Sequence, residues 1–194
     1  MVKKRTRRKP NLWKESVRYI LESKNYIILA GLLFVSGSLF GLVFASELGF
    51  MDETLKKLIE ETKNMNVSQL IFFIFQNNLI VAFLMIILGI FLGIFPIINI
   101  FANGAVLGFV FSKIQGVNLI KAIFSLLPHG IFELPAIFIS VGLGIKLGMF
   151  LFAEKRKEEF TKRFYGSMKV FFSIILPLLI LAAIIEGLLI FFIK

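Results

Sequence analysis

LPHGIFELP, residues 127–135, opens an apolar run that continues to Phe152 and carries the only histidine of the chain. His129 and Glu133 are four residues apart, so a helix would place them on one face. A charged side chain at the centre of a bilayer costs about 3 kcal/mol or more, so it persists only where it faces protein or water. The proline at the start can begin a helix, whereas the proline at the end favours a kink or break. We therefore expect functional residues here, inside the membrane.

The composition identifies an all-α, polytopic membrane protein. The chain has 194 residues, is 58% hydrophobic and contains 24 phenylalanines. Its apolar runs exceed the roughly 20 residues that a helix needs to cross a bilayer. It contains no cysteine, which excludes disulfides, thiolate metal sites and a cysteine nucleophile.

The positive charge is unevenly distributed. Nine of the 22 lysines and arginines lie in residues 1–25, and six more lie in 153–169. Such clusters mark cytoplasmic segments, so we expect a cytoplasmic amino terminus and an external carboxyl terminus. Nucleic-acid binding is not expected, because the basic arm has no aromatic interleaving beyond Trp13. No cleavable signal peptide is expected before Tyr26.

Two regions follow from this pattern. Residues 1–25 are predicted to form a basic cytoplasmic arm and an amphipathic interfacial helix, and residues 26–194 a helical transmembrane domain. About five transmembrane segments are expected, at 26–45, 67–95, 97–111, 128–152 and 170–193.

The middle segments carry amides that suggest interruptions. In 67–95, the amides either end a short helix ahead of a span at 79–95, or break a helix inside the membrane. Segment 97–111 is short enough to be re-entrant. The polar residues concerned are Gln76, Asn77, Asn78, Asn99 and Asn103, the last of which is followed by Gly104.

Small residues in two segments predict close helix packing. Gly37 and Gly41 have the spacing that lets helices approach closely, either within the chain or in a homodimer. Gly142, Gly144 and Gly148 are likewise interpreted as packing residues and not as a phosphate-binding loop.

Three motifs together resemble the stage II sporulation protein M family. They are a Phe/Asn-rich second hydrophobic region around Asn77, an Asn-Gly pair at Asn103, and the His-Gly-x-x-Glu-x-Pro signature from His129 into a glycine-rich span. The resemblance covers roughly residues 26–193. It implies a polytopic protein of the kind that, in spore formers, anchors a peptidoglycan-remodelling complex whose other members carry the hydrolase activity. Because relatives occur in organisms that do not sporulate, it does not imply a role in sporulation.

His129 and Glu133 admit three interpretations. They either hydrogen-bond amides of neighbouring spans, line a polar cavity, or bind a metal. A zinc site usually takes three or four protein ligands, so one histidine with one glutamate falls short unless asparagines or a second chain contribute, and no metal is assigned. Glu186 is expected to be protonated, hydrogen-bonded or paired with Lys146.

These observations favour a non-enzymatic scaffold or assembly subunit without cofactors. It would contact the lipid bilayer, a second copy and other membrane or envelope proteins. No Ser-His-Asp constellation, HExxH motif or Walker loop occurs. The alternative is a transporter or channel for an ion or small solute, with a pathway past Asn78, Asn103, His129 and Glu133.

Overall fold

The protein is helical, as its composition predicts. A computed structural model describes residues 11–113 and 119–193, with the backbone alone for 119–131 and 193. It is 88% helical, has no strand among the described residues, and contains five helices long and apolar enough to cross a membrane. The helices in chain order are α1 Leu12–Glu22, α2 Lys24–Val43, α3 Met51–Lys63, α4 Val67–Leu88, α5 Ile94–Lys113, α6 Leu119–Gly148, α7 Arg156–Val170 and α8 Leu176–Ile193.

Helix α6 occupies the centre of the bundle. It packs against α2, α4, α5 and α8. The membrane-length segment Phe132–Phe152 contains the carboxyl-terminal half of α6, and 56% of an 18-residue stretch of it is buried, against 17% of such a stretch of α2. Val141, Leu143 and Leu147 are completely enclosed. The segment that carries Glu133 is therefore the core of the bundle, and the other spans surround it.

Helices α2 and α5 pack backbone against backbone. A Cβ atom on Gly37 or Gly41 would collide with main-chain atoms of α5, and one on Gly104 or Gly108 would collide with main-chain atoms of α2. Both helices thus use the same four-residue spacing of small residues against each other. Of the two predicted alternatives for Gly37 and Gly41, packing within the chain is the one formed, because α5 of the same chain covers that face.

A second glycine contact joins α4 to α6. Gly89, just after α4, lies against Gly144, and Gly148 lies against the turn that leads into α5. In that turn Leu92 has φ 57° and Gly93 has φ 72°. Such left-handed backbone is inexpensive for glycine and uncommon for leucine. The tight turn returns the chain directly into α5.

The expected interruptions of the middle spans are not formed. Helix α4 is continuous through the amides at 76–78, and α5 is a full 20-residue helix. Helix α6 begins upstream of Pro128 and continues through Pro135, so neither proline begins or ends it. In a bilayer, an intact helix satisfies its own backbone groups, whereas a broken one needs protein or water. The break between α4 and α5 lies instead at residues 89–93.

Two short helices lie outside the spans. Helix α3 has its acids in the first turn, as expected, contains no buried residue, and is held by an Asp52–Lys113 ion pair of 2.8 Å. Helix α1 packs on α7, which continues through a π-helical turn, Phe171–Ile175, into α8. We call α1 and α7 the α1–α7 layer.

Candidate functional site

The amides of α4 lie at its outer surface. Gln76 and Asn77 are exposed, and Asn78 is half-buried. Asn77 Nδ2 donates to Asn78 Oδ1 at 3.4 Å, which is long for a hydrogen bond. The described contacts of these amides thus remain within α4 and do not reach Glu133.

The amides of α5 also bond within their own helix. Asn103 is exposed, and its Nδ2 donates to the carbonyl oxygen of Asn99 at 2.9 Å and to Asn99 Oδ1 at 3.0 Å. Gly104 faces α2. The predicted junction of Asn103 with the α6 pair therefore has no described hydrogen bond.

The two acids of the spans are shielded from solvent to different degrees. Glu133 is half-buried in α6, and Glu186 in α8 is 6% exposed. The backbone of His129 belongs to α6, but its side chain lies outside the described residues, so its pairing with Glu133 stays a prediction. Within the described ranges, no three acidic or histidine side chains cluster as a metal ion would need.

Several of the polar residues share one depth in the bundle. The distance is counted along each residue's own helix, from the level where glycines join α4 and the following turn to α6. It is ten to twelve residues, about 15–18 Å, for Asn77, Asn103 and Glu133. Glu186 lies further away, because Gly187 beside it packs against Ile71. The structure thus aligns the amides with Glu133 along the membrane normal without joining them by a described bond.

Lys146 has partners that the sequence did not indicate. Its Nζ donates to Ser23 Oγ at 2.9 Å and lies 3.8 Å from the ring centroid of Tyr19. A cation over an aromatic face is stabilised by the ring quadrupole. The predicted pairing of Lys146 with Glu186 is wrong. Lys146 lies at the level of Gly89, and Glu186 lies at the level of Ile71. These two levels are about 27 Å apart along α4. The two side chains therefore lie far apart along the axis of the bundle.

Arg163 fastens α7 to the end of α6. Its Nη1 donates to the carbonyl oxygen of Lys146 at 2.8 Å, and its Nε donates to Glu159 Oε2 at 3.0 Å. Tyr19 Oη in turn donates to the carbonyl oxygen of Arg163 at 3.2 Å. One chain of bonds thus links α1, α6 and α7.

Burial of Tyr19 affects its ionisation. Removal from water is the largest effect, and it raises the pKa of Tyr19 from 10.0 to about 12. Burial opposes a charged phenolate, so the hydroxyl stays protonated at neutral pH.

A charged groove of about 530 Å³ runs between α1 and α7. Lys169 Nζ spans it to Glu15 Oε2 at 2.7 Å, and Gly166 leaves room for the Tyr19 ring at its floor. The remaining charged or hydroxylated side chains that line it are Arg18, Glu22, Lys162 and Tyr165. We call this the α1–α7 groove.

The α1–α7 groove lies away from the apolar stripe of α1. Trp13, Val17 and Leu21 are exposed and recur every four residues. At about 100° per residue, the groove positions Glu15, Arg18 and Glu22 fall on nearly the opposite side of the helix. The stripe suits lipid, and the groove suits water-borne polar groups.

Sequence reasoning missed this groove because its charges look like an ordinary solvated helix face. The structure shows that α1 has a second packed face, since Ser16 and Ser23 are fully buried although Trp13 and Leu21 are exposed. No signal in the local sequence indicated it, because polar residues opposite an apolar stripe are normally solvated.

Comparisons with known proteins support the family resemblance. A family model described as Stage II sporulation protein M matches residues 30–189. An uncharacterized protein of Methanocaldococcus jannaschii is 35% identical over 172 residues, which are 82% of this chain and 90% of that protein. A second uncharacterized protein of the same organism is 30% identical over 190 residues, 90% of this chain and 85% of its own length. No solved structure matches.

Proposed function

The chain belongs to the stage II sporulation protein M family, and from that premise we propose that it is a non-enzymatic scaffold or assembly subunit of a membrane complex. The α1–α7 groove carries the proposal. It presents charged side chains outside the spans, and a hydrogen bond from Arg163 to the carbonyl oxygen of Lys146 ties it to the end of α6. A charged surface held on a membrane-anchored bundle can steer and orient a partner of complementary charge.

The packing of the spans supports the same role. Glycines bring α2 against α5 and α4 against α6 so closely that main-chain atoms touch. Close-packed helices move as units, so the bundle holds the groove at a constant height and orientation. The occupant that we propose is a polar, mixed-charge segment of a membrane or envelope protein, which complements the cations and acids of the groove.

Site-specific photo-cross-linking tests this proposal. A photoreactive phenylalanine analogue at Tyr165, which is 64% exposed in the groove, should yield an adduct with one other protein in native membranes. The same analogue at exposed Lys157, outside the groove lining, is the matched control and should not. Charge reversal by Lys162→Glu should abolish the Tyr165 adduct. Equal adducts at both positions, or none at Tyr165, would count against recruitment through the groove.

Transport is the second candidate, and Glu133 is the observation that favours it. An acid half-buried at mid-span is costly unless it serves a function or a structural bond. Glu133→Gln should leave the Tyr165 adduct unchanged under the scaffold role. Loss of proton- or metal-dependent flux in proteoliposomes containing this variant would instead support transport.

A further inference from the structure

The outer surface of α4 combines apolar side chains with an amide at mid-span. Phe72, Gln76, Ile80 and Phe83 recur at helical spacing and are all exposed. Gln76 lies near the middle of the 22-residue helix, and the exposed Asn77 flanks it. We call these four residues with Asn77 the α4 amide face.

A carboxamide at this depth needs a partner. At the centre of a bilayer no water is at hand, and an amide without a hydrogen bond in an apolar medium is strongly disfavoured. The bond from Asn77 to Asn78 is 3.4 Å and involves one amide hydrogen. The α4 amide face therefore differs from the exposed apolar surfaces of α2 and α8, for which lipid is an adequate solvent.

We propose that the α4 amide face is the contact between two copies of this chain. Two copies inserted in the same direction are related by a two-fold axis along the membrane normal, so each residue meets its counterpart at equal depth. A carboxamide has both a donor and an acceptor, and two identical carboxamides satisfy each other by paired hydrogen bonds. Gln76 is thus self-complementary across such an axis.

The glycine pairs direct the dimer to α4. Helix α5 already covers Gly37 and Gly41, and the end of α4 with the turn that follows it covers Gly144 and Gly148 of α6. Phe72 and Ile80, 63% and 48% exposed, would surround the amide and exclude lipid from it. The inference is independent of the proposed function, because both a scaffold and a transporter can be dimeric.

Disulfide cross-linking in native membranes tests the contact. Since the chain contains no cysteine, each introduced thiol is the only one present. Gln76→Cys should form a covalent homodimer on mild oxidation. The two-fold axis places the two residues 76 side by side, and the shorter cysteine lets their Cβ atoms approach the distance of about 4 Å that a disulfide needs. Ile184→Cys, also at mid-span and exposed but on α8, is the matched control and should stay monomeric.

Two results would overturn the proposal. One is a Gln76→Cys yield no higher than that of Ile184→Cys in variants that melt like the parent protein. The other is a cross-linked product in which the second component is a different protein, which would assign the face to a heterologous partner. Neither result depends on the Tyr165 adduct, so the dimer and the recruitment proposal fail separately.

Affinity in lipid provides the second measurement. Gln76→Leu should weaken the dimer about three- to tenfold in a dilution series in phosphatidylcholine vesicles, as expected for one or two hydrogen bonds inside a membrane. Leu32→Ala, on the exposed surface of α2, should leave the dimer affinity unchanged. An unchanged affinity for Gln76→Leu would contradict the role of the amide.

Discussion

Lys146 shows how one cation is accommodated near the end of a span. Its ammonium group reaches Ser23 and the face of Tyr19, while its carbonyl oxygen accepts from Arg163. The side chain thus exchanges water for a hydroxyl and an aromatic ring, which lowers the cost of leaving solvent. Tyr19 is central here because it contacts both basic residues.

The hydroxyl of Tyr19 should make stability depend on pH. Its pKa is raised to about 12, so above pH 10.0 the folded protein retains a proton that the unfolded chain releases. The contribution is complete below pH 10.0 and is lost as the pH rises toward about 12. Tyr19→Phe should remove this component of the decline, and thermal unfolding in detergent at a series of alkaline pH values measures it.

A matched tyrosine controls for general alkaline effects. Tyr165 is 64% exposed on α7, so Tyr165→Phe should unfold like the parent protein at every pH. At neutral pH, Tyr19→Phe should cost about 1 kcal/mol for the lost bond to Arg163 while keeping the ring beneath Lys146. An identical alkaline decline in Tyr19→Phe and the parent protein would show that the hydroxyl is not the group concerned.

At the scale of elements, glycines determine which helices touch. Without a hydrophobic force between helices in lipid, close approach of backbones supplies much of the attraction. The α2–α5 pair uses small residues on both partners, and the α4–α6 pair uses them at one end. A glycine in the sequence therefore indicates a surface suited to close packing, but only its contact in the structure shows which helix packs there.

Two glycines of α2 should respond in opposite ways to alanine. At Gly41 a Cβ would collide with main-chain atoms of Ala105, whereas at Gly31 it would meet nothing within 4 Å. Gly41→Ala should lose about 1–3 kcal/mol, as overpacking does. Gly31→Ala should be neutral or gain up to about 1 kcal/mol, because alanine favours the helix. Thermal unfolding of both variants in the same detergent measures these changes. Similar losses of stability in Gly41→Ala and Gly31→Ala would contradict the packing of Gly41 against α5.

At the scale of the whole molecule, the α1–α7 layer and α3 lie at opposite ends of the bundle. Helix α2 connects the end that carries α1 to the end that carries α3. Basic residues concentrate in the α1–α7 segments, and the loop with α3 carries five acids against three lysines. We therefore propose that the α1–α7 layer faces the cytoplasm, as the positive-inside rule predicts.

Thiol labelling in intact cells tests this orientation. A membrane-impermeant reagent should label Glu60→Cys on α3 directly, and Lys157→Cys on α7 only after the membrane is permeabilised, since both positions are exposed. The absence of native cysteine removes background labelling. Immediate labelling of Lys157→Cys with protection of Glu60→Cys would invert the topology.

The family and the class of fold were predictable because they depend on local properties. Hydropathy over about 20 residues identifies a span, acids at a helix start follow its dipole, and the motif from His129 to Pro135 is contiguous. Five spans and the helix at Asp52 were obtained in this way. The predicted interruption at 76–78 was wrong, because the amide side chains do not displace backbone hydrogen bonds that are already complete within a helix. The segment 97–111, predicted to be short, belongs to a full 20-residue helix.

Tertiary structure alone decided which surfaces meet. A stripe such as Gly37 and Gly41 has the same sequence whether it faces α5 or a second copy, and only the contact with Ala105 distinguishes them. Likewise, nothing in the chain near Lys146 indicates that Ser23, 123 residues away, accepts its hydrogen bond. Secondary structure in a membrane arises from bonds between residues four apart, whereas packing arises from contacts between distant segments whose positions the local pattern does not specify.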